Sequence, residues 1–308
     1  MKKPTIKQLI PLLKKFKNKY RPILSNALVQ DNKLTISDLT TSITIFDVNL
    51  KNGIHDINKI HLVGNPIDID VNEYPLIKMD LNIKKHLIVS VKQLESLKKH
   101  ISKDETRPHL NGICWNKNEL VATDGFTLQT CKLYDTANEN QQTEIFSIKS
   151  INILINLMKK FKINEVSLGV NEDNKFIVNV VGCFVLQGTI VNREYPMYER
   201  IIPQKAKKMF TITEKIDFKA IKPFLDKRLP KIKLINKNSD LYLQVNEGEL
   251  EFKVGVAFDK FKFAFFNADY LKRTLETSNC KVFRQEKTLG PYVLQYGDST
   301  GLIMPMKY

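Results

Sequence analysis

Two aspartates, Asp38 and Asp124, are the carboxylates in this chain best placed to do chemistry, because each could coordinate a metal ion. Each follows a run of strand-forming residues and precedes a turn, where aspartate commonly accepts hydrogen bonds from backbone NH groups. They also occupy equivalent positions in two similar stretches of sequence. We therefore predict that both aspartates stabilise the fold and that the protein binds no metal.

The remaining residues that could bind metals or act as nucleophiles form no recognisable site. The histidines share no ligand spacing and are expected to face solvent: His55, His61, His86, His100 and His109. The cysteines contain no CxxC pair and are expected to be reduced thiols: Cys114, Cys131, Cys183 and Cys280. A glycine-rich phosphate loop and a nucleophile elbow are also missing from the sequence. We predict a non-catalytic protein without a cofactor, and we expect Trp115 to pack within a strand.

The charge of the chain is strongly basic, with 48 Lys and Arg against 33 Asp and Glu and a formal net charge of +15. Nucleic acid is the simplest partner for such a protein, although the lysine codons of an AT-rich genome explain the total equally well. A nuclease or other DNA enzyme is an alternative function, but only the basic charge supports it. No apolar run approaches the roughly 20 residues that cross a bilayer, and no signal-peptide core follows the N-terminus, so we expect a cytoplasmic protein.

The placement of the lysines is more informative than their number. Capping boxes at Thr5–Gln8 and Ser90–Gln93 each predict the start of an amphipathic helix. In the first helix the apolar face comprises Ile6, Leu9, Leu13 and Phe16, and the basic face comprises Lys3, Lys7, Lys14 and Lys17. In the second helix the apolar face comprises Val91, Leu94 and Ile101, and the basic face comprises Lys92, Lys98, Lys99 and Lys103.

The sequence is built from a repeat. Residues 21–38 align without a gap with residues 107–124, which lie 86 positions further on, and a fainter third copy begins near Asp217. Each copy predicts a helix followed by strand, polar turn and strand. A second half of helix and three strands follows in two copies, with helices beginning at Ser147 and near Asn267. No comparable helix is predicted between residues 38 and 74, so the first copy is short.

We predict an α+β fold of three modules, at residues 1–83, 84–205 and 206–308. The motifs of these modules resemble the bacterial DNA sliding clamp, the β subunit of DNA polymerase III. The resemblance covers nearly the whole chain and rests on residues 21–26 (RPILSN), 107–112 (RPHLNG), 121–125 (VATDG), 195–203 (YPMYERIIP) and 302–308 (LIMPMKY).

The resemblance implies a ring of clamp-like modules, with helices on the inner face, antiparallel sheets outside and closure by a homodimer. Such a ring encircles double-stranded DNA without regard to sequence. It tethers the catalytic subunit of a DNA polymerase, and it also engages a clamp loader and other proteins that carry a clamp-binding peptide.

The resemblance also implies two sets of binding residues. The pocket for partner peptides would comprise Leu110, Thr123, Gly125, Phe126, Leu128, Pro196, Arg200, Ile201, Asn267, Tyr270, Met304, Pro305 and Met306. The residues that contact DNA phosphates would comprise Lys7, Lys14, Lys17, Lys19, Lys92, Lys98, Lys99, Lys103, Arg107, His109, Lys222 and Lys227.

Three departures from the family pattern bear on function. Phe126-Thr127 stands where His-Arg is usual, and Lys307-Tyr308 stands where Arg-Leu is usual, so the preferred peptide is expected to differ. The first module is roughly 30 residues shorter than expected, and this module normally supplies one side of the ring-closing interface. The sequence therefore leaves two hypotheses open, a DNA-encircling clamp and a monomeric clamp-like adaptor or antagonist.

Overall fold

The computed structural model describes residues 3–16, 20–60, 64–75, 81–133, 143–258, 260–275, 279–285 and 290–307. Lys17, Lys19 and His61 lie outside these ranges. The α-helices are α1 (Ile6–Leu13), α2 (Val91–Lys98), α3 (Ile148–Phe161), α4 (Phe218–Ile221) and α5 (Ala268–Thr274). Short 3-10 helices span Lys14–Phe16, Pro22–Ser25, Val71–Glu73, Pro108–Leu110, Tyr198–Ile201, Lys222–Phe224 and Asn246–Gly248.

Most of the ordered structure is antiparallel sheet. The strands are β1 (Asn26–Gln30), β2 (Lys33–Ser37), β3 (Thr41–Phe46), β4 (Gly53–Asp56), β5 (Ile83–Ser90), β6 (Gly112–Asn116), β7 (Glu119–Thr123), β8 (Thr127–Lys132), β9 (Glu144–Ser147), β10 (Glu165–Asn171), β11 (Lys175–Val180), β12 (Phe184–Thr189), β13 (Lys207–Ile212), β14 (Lys231–Lys237), β15 (Asp240–Val245), β16 (Leu250–Ala257), β17 (Phe263–Asn267), β18 (Cys280–Arg284), β19 (Tyr292–Tyr296) and β20 (Ser299–Ile303).

The chain divides into two compact units. Unit 1 consists of the described residues within 1–95, 115–118 and 133–193. Its sheet has the strand order β4-β1-β2-β3-β12-β11-β10-β5. Helix α3 is capped by Ser147, whose hydroxyl accepts from the Ser150 NH, and its predicted apolar face is buried, as expected for an amphipathic helix.

Unit 2 consists of the described residues within 96–114, 119–132 and 194–308. Within it the strand order is β17-β14-β15-β16-β13-β18-β19-β20-β8-β7. Its core contains several large aromatic side chains, among them Phe266 and Tyr292, whose ring centroids lie 5.0 Å apart. The same core includes Ala268 and Leu271 of α5, so this helix packs on the sheet through buried apolar side chains.

The predicted strand-turn-strand repeats are confirmed. Asp31 and Asn32 adopt φ angles of 50° and 57° between β1 and β2, and Asn238 and Ser239 adopt 53° and 68° between β14 and β15. Two successive residues with positive φ form the tight turn that matches the twist of a hairpin, and asparagine and aspartate tolerate this conformation better than most side chains. The first copy is also short as predicted, since the described residues between β3 and Tyr74 contain only β4 and one 3-10 turn.

Several predicted boundaries are wrong. Helix α2 ends at Lys98, because the next two NH groups, of Lys99 and His100, bond to carbonyls three residues earlier rather than four. Lys99, Ile101 and Lys103 therefore lie beyond the helix that was expected to carry them. The last strand was predicted to begin at Leu302 and reach Met306 but ends at Ile303.

The helix of the third copy is shorter than predicted. Asp217 caps it as expected, accepting from the NH groups of Lys219 and Ala220, but α4 ends at Ile221 and continues only as a 3-10 turn. Pro223 has no NH to offer to a helical hydrogen bond, which accounts for this change.

Two histidines are buried, contrary to the expectation that they face solvent. His55 Nε2 lies 2.8 Å from the Lys51 carbonyl oxygen, and His100 Nδ1 lies 3.0 Å from the Thr127 hydroxyl. Each ring thus has a polar partner, which lowers the cost of burying it. Trp115 is buried as predicted and donates its indole NH to the Lys117 carbonyl.

Candidate functional site

The turn after β7 is organised by Asp124. One carboxylate oxygen accepts from the NH groups of Phe126 at 3.0 Å and Thr127 at 2.8 Å, and the other lies 2.5 Å from Arg273 Nη2. Asp38 makes the same pair of bonds to Thr40 and Thr41 in the first copy. The prediction that both aspartates serve the fold is therefore confirmed, and the turn presents the Phe126 side chain to solvent.

Asp38 has its own cationic partner in unit 1. Burial acts to raise the pKa of this carboxyl, but hydrogen bonds from Lys149, Thr40 and Thr41 together lower it below its usual value. The ion pair with Lys149 fixes one oxygen, and the turn fixes the other. The two copies thus use a lysine and an arginine for the same purpose.

Phe126 belongs to a stack of three side chains, which we call the aromatic cluster: Phe126, Tyr270 and Arg273. The rings of Phe126 and Tyr270 have centroids 5.4 Å apart and planes inclined by 23°. The Arg273 guanidinium carbon lies 4.5 Å from the Tyr270 centroid. Phe126 is 50% exposed, so the cluster offers an aromatic surface together with a cation.

Helix α5 holds Tyr270 and Arg273 in place. Asn267 begins the helix by accepting from the NH groups of Asp269 at 2.9 Å and Tyr270 at 3.2 Å. Arg273 follows Tyr270 by three positions, so both side chains lie on one helix face. Arg273 also donates to the Lys99 carbonyl at 3.2 Å, which adds a second anchor to the ion pair with Asp124.

The segment after β20 passes beside this cluster. The Met304 NH donates to the Phe126 carbonyl at 3.0 Å, and the Met306 NH donates to the Phe265 carbonyl at 2.8 Å. Pro305, between them, has no NH to offer to a continuing ladder, which is consistent with the end of β20 at Ile303. Met304 is 38% exposed, so a flexible thioether side chain borders the aromatic surface.

Another predicted set of pocket residues lies on the segment that contains the Tyr198–Ile201 helix. Tyr198 is buried and its hydroxyl bonds to Glu119 Oε1, which anchors the segment. Pro196, Arg200 and Ile201 are exposed. Burial raises the pKa of the Tyr195 hydroxyl well above its usual value.

The other predicted pocket residues serve the scaffold. Leu110 and Leu128 are buried, and Gly125 carries a φ of 90° that suits glycine. The Thr123 hydroxyl accepts from the Gly125 NH at 3.1 Å and donates to the Thr127 carbonyl at 2.7 Å. All thirteen predicted pocket residues belong to unit 2. Their joint action as one peptide pocket stays a prediction.

Two residues of this region were missed from the sequence. Arg273 was detectable, because its spacing of three from Tyr270 places a cation on the same helix face. The other is Met197, which follows the predicted Pro196 and is 65% exposed, more than the predicted Ile201 at 51%. No sequence signal distinguishes it from a buried methionine.

The described DNA-contact candidates are accessible. The exposed ones are Lys7, Lys14, Lys92, Lys98, Lys99, Lys103, Arg107, Lys222 and Lys227, and His109 is half-buried. Arg107 Nε lies 2.8 Å from Asp104 Oδ2. Hydrogen bonds from Thr106 and Arg107 lower the pKa of Asp104 to about 2, so this aspartate is ionised at neutral pH and pairs with Arg107. Phosphate contact by these residues stays a prediction.

The residues that the structure describes offer no metal centre. In those ranges no group of three or more His, Cys, Asp or Glu side chains could hold a metal ion. Within the same ranges no helix is long and apolar enough to cross a membrane. The four cysteines are buried and unpaired by disulfides, and burial raises the pKa of Cys280 to about 12.

Solved structures of bacterial DNA sliding clamps share this fold. The griselimycin-bound clamp (DNA polymerase III subunit beta) of Bartonella birtlesii matches with a TM-score of 0.79 at 19% identity, over 99% of this chain and 98% of that chain. The griselimycin-bound clamp of Pseudomonas aeruginosa gives 0.78 at 19% identity, over 98% and 97%. The DNA polymerase III beta subunit of Thermotoga maritima gives 0.77 at 18% identity, over 98% and 97%.

No family model matches the sequence, and no curated protein matches it. The structural matches alone show that the protein is an α+β chain with the fold of the bacterial sliding clamps, as the resemblance predicted. At these identities the likeness concerns the fold alone. The division into three modules stays a prediction.

Proposed function

We propose that this protein is a DNA sliding clamp, a processivity factor that encircles double-stranded DNA and tethers a DNA polymerase and other DNA enzymes. It performs no chemistry in this proposal. The observation that carries the proposal is the aromatic cluster beside Met304, within a fold shared with solved clamps. This surface joins residues from the turn before β8, α5 and the segment after β20, all within unit 2.

The surface suits a short peptide with apolar anchors. Phe126 and Met304 supply exposed apolar contact, while the Arg273 guanidinium lies over the Tyr270 ring. An extended peptide with leucine and phenylalanine side chains would bury apolar surface against the Phe126 ring and the Met304 thioether, and polar groups would set its register. The polymerase catalytic subunit, the clamp loader and other partners would share this site in turn.

The DNA contacts of the proposal are electrostatic. Exposed lysines on α1 and α2 lie opposite buried apolar residues, which leaves the ammonium groups available to phosphates. Such contacts hold DNA without reading its sequence and weaken with salt. In this proposal two copies close a ring, as a homodimer, around the duplex.

The test of encirclement is retention on DNA of different topology. After loading, the protein should remain on closed-circular DNA and slide off linear DNA, because a ring escapes only over a free end. Blocking both ends of the linear DNA should restore retention. Equal retention on open linear and circular DNA would show that the protein does not encircle its substrate.

A monomeric adaptor is the second candidate, and the short first module favours it. The described residues between β3 and Tyr74 supply one four-residue strand, β4, and no α-helix. A module this small gives less surface for closing a ring. Light scattering after size exclusion separates the candidates, since a mass near twice 35.6 kDa or a larger whole multiple supports the ring. A monomer at every concentration, with peptide binding intact, would favour the adaptor.

A further inference from the structure

One end of the sheet in unit 2 presents a basic and aromatic face distinct from the aromatic cluster. In β14 the side chains of Ile232 and Leu234 are buried, whereas Lys231 and Lys233 lie on the opposite, solvent side. The register places Lys233 opposite Phe265 of β17 on one side and opposite Gln244 of β15 on the other. These side chains, with Phe263, form what we call the open sheet face: Lys231, Lys233, Gln244, Phe263 and Phe265.

The lysines of the open sheet face lie over its rings. Lys231 Nζ is 4.3 Å from the Phe265 centroid, and Lys233 Nζ is 5.3 Å from the Phe263 centroid and 5.9 Å from that of Phe265. The two rings meet edge to face with centroids 5.7 Å apart. Phe263 is 47% exposed, so a planar group can reach these rings from solvent.

A cleft of about 700 Å³ lies along this face. Its lining comprises Asp226, Leu229, Lys231, Lys233, Gln244, Asn246 and Phe265. This volume falls in the range of small-ligand pockets. The loop at its border is shaped by Asp226, whose carboxylate accepts from the NH groups of Arg228 and Leu229, and these bonds lower the pKa of that carboxyl.

The charges around the cleft favour an anion. The two carboxylates of the neighbouring strands have cationic partners: Glu251 lies 2.7 Å from Lys237 and also accepts a hydrogen bond from Gln244, and Asp240 lies 2.7 Å from Lys253. The Asp226 carboxylate accepts its hydrogen bonds within its own loop, where Lys227 and Arg228 are exposed. The cleft therefore combines a net positive border with rings whose faces can stack on flat groups.

We propose that the open sheet face binds a short stretch of single-stranded DNA. Bases stack on Phe265 and Phe263, and phosphates replace the rings as partners of Lys231 and Lys233. The bases of a duplex are already stacked and cannot offer their faces to these rings. Leu229, 55% exposed at the cleft border, favours deoxyribose, because a 2′-hydroxyl placed against it would lose water without gaining a partner.

The experiment is fluorescence anisotropy of labelled oligo(dT) with the full-length protein. Phe265→Ala should weaken binding by roughly five-fold to one-hundred-fold, since one stacked base contributes about 1–3 kcal/mol, whereas Phe265→Tyr keeps the ring and should bind nearly as well. Lys233→Glu should lower the magnitude of the salt slope by about 0.7 or more. Lys281→Glu, the same charge change at an exposed strand position of unit 2, should alter affinity much less.

Several outcomes would overturn the proposal. Undetectable oligo(dT) binding by the parent protein, or equal losses in the Lys233→Glu and Lys281→Glu variants, would show that the face is not a site. Tighter binding of oligo(U) than of oligo(dT) would refute the assignment to DNA. Displacement of oligo(dT) by an acidic peptide at equal charge would indicate a protein partner instead.

The site is independent of the proposed clamp function. A Phe126→Ala variant, altered in the aromatic cluster, should retain oligo(dT) binding, and Phe265→Ala should retain partner-peptide binding. Loss of both activities in both variants, despite unchanged circular dichroism, would refute two separate sites. Failure of peptide binding alone leaves the oligo(dT) result standing as support for this inference.

Discussion

The ring of Phe126 lies against the ring of Tyr270, with centroids 5.4 Å apart, although 144 positions separate the two residues in sequence. The contact fixes the turn after β7 against α5. Because Phe126 remains half exposed, the pair both stabilises this region and forms part of its outer surface. A peptide that binds at the aromatic cluster would therefore contact the exposed half of this ring.

Phe126→Ala should weaken the binding of a peptide with leucine and phenylalanine anchors. An aromatic pair contributes about 0.5–1.5 kcal/mol beyond its buried area, so we expect a loss of roughly two- to ten-fold or more. Isothermal titration calorimetry with a Gln-Leu-x-Leu-Phe peptide measures it. Phe263→Ala, which removes an exposed ring elsewhere in unit 2, is the matched control. Equal affinity in both variants would argue against a peptide site at the aromatic cluster.

Substitution of Asp124 should separate its two structural roles. Asp124→Asn keeps an oxygen for the NH groups of Phe126 and Thr127 but loses the ion pair with Arg273, whereas Asp124→Ala loses both. A donor left without its acceptor costs at most about 1–3 kcal/mol, and the Thr127 NH is only partly buried, so the alanine variant should be the less stable of the two by an amount toward the low end of this range. Urea unfolding measures the difference. Identical stabilities would mean that the turn does not depend on the side-chain oxygen.

Much of this architecture could be predicted from the sequence, because the signals are local. Asp38, Asp124 and Ser147 cap turns or a helix with side chains that act on neighbouring NH groups, and the positive-φ turns use residues that tolerate them. The burial of His100 could not be predicted in this way. Its partner, Thr127, lies 27 positions away and is brought near only by the packing of unit 2.

The candidate site was predicted less completely than the fold. Phe126 and Tyr270 were identified only through resemblance, and the stack between them depends on how α5 packs beside β8. The position of Arg273 on the same helix face as Tyr270 was detectable from their spacing, but its ion pair with Asp124 was not, because that pair joins segments that sequence periodicity does not relate. Long-range contacts of this kind follow from tertiary packing, which one sequence does not reveal.

Tyr74 should stabilise unit 1 at neutral pH, and this stabilisation should be lost at alkaline pH. Its hydroxyl donates to the Asn26 carbonyl at 3.1 Å and accepts from the Ser37 NH at 3.3 Å, and burial raises the pKa of Tyr74 to about 12. A pKa raised in the folded state gives stability that is fully present below the unfolded value of about 10 and is lost as the pH rises through the folded value.

The test compares the parent with Tyr74→Phe, which keeps the ring and removes the hydroxyl. The parent should be more stable by about 0.5–1.5 kcal/mol at a pH of about 8, and this advantage should shrink as the pH rises from about 10 to about 12. Urea unfolding at several pH values measures it. A difference that stays constant across this range would contradict the assigned ionisation.

Reversing charge at Lys98 and Lys103 should weaken retention on duplex DNA while leaving peptide binding intact, because both side chains are exposed and neither belongs to the aromatic cluster. Removing one phosphate interaction should lower the magnitude of the salt slope by about 0.9. Binding to a duplex oligonucleotide over a series of salt concentrations measures the slope, and Lys281→Glu serves as the control for charge alone. The paired substitutions should also leave oligo(dT) binding at the open sheet face unchanged, since that site is built from different lysines.

A slope equal to that of the parent would mean that DNA binds another face of the protein. A slope that falls in the control by as much for each substituted lysine would mean that only net charge matters, because a specific interaction depends on where the ammonium group lies and not on the total.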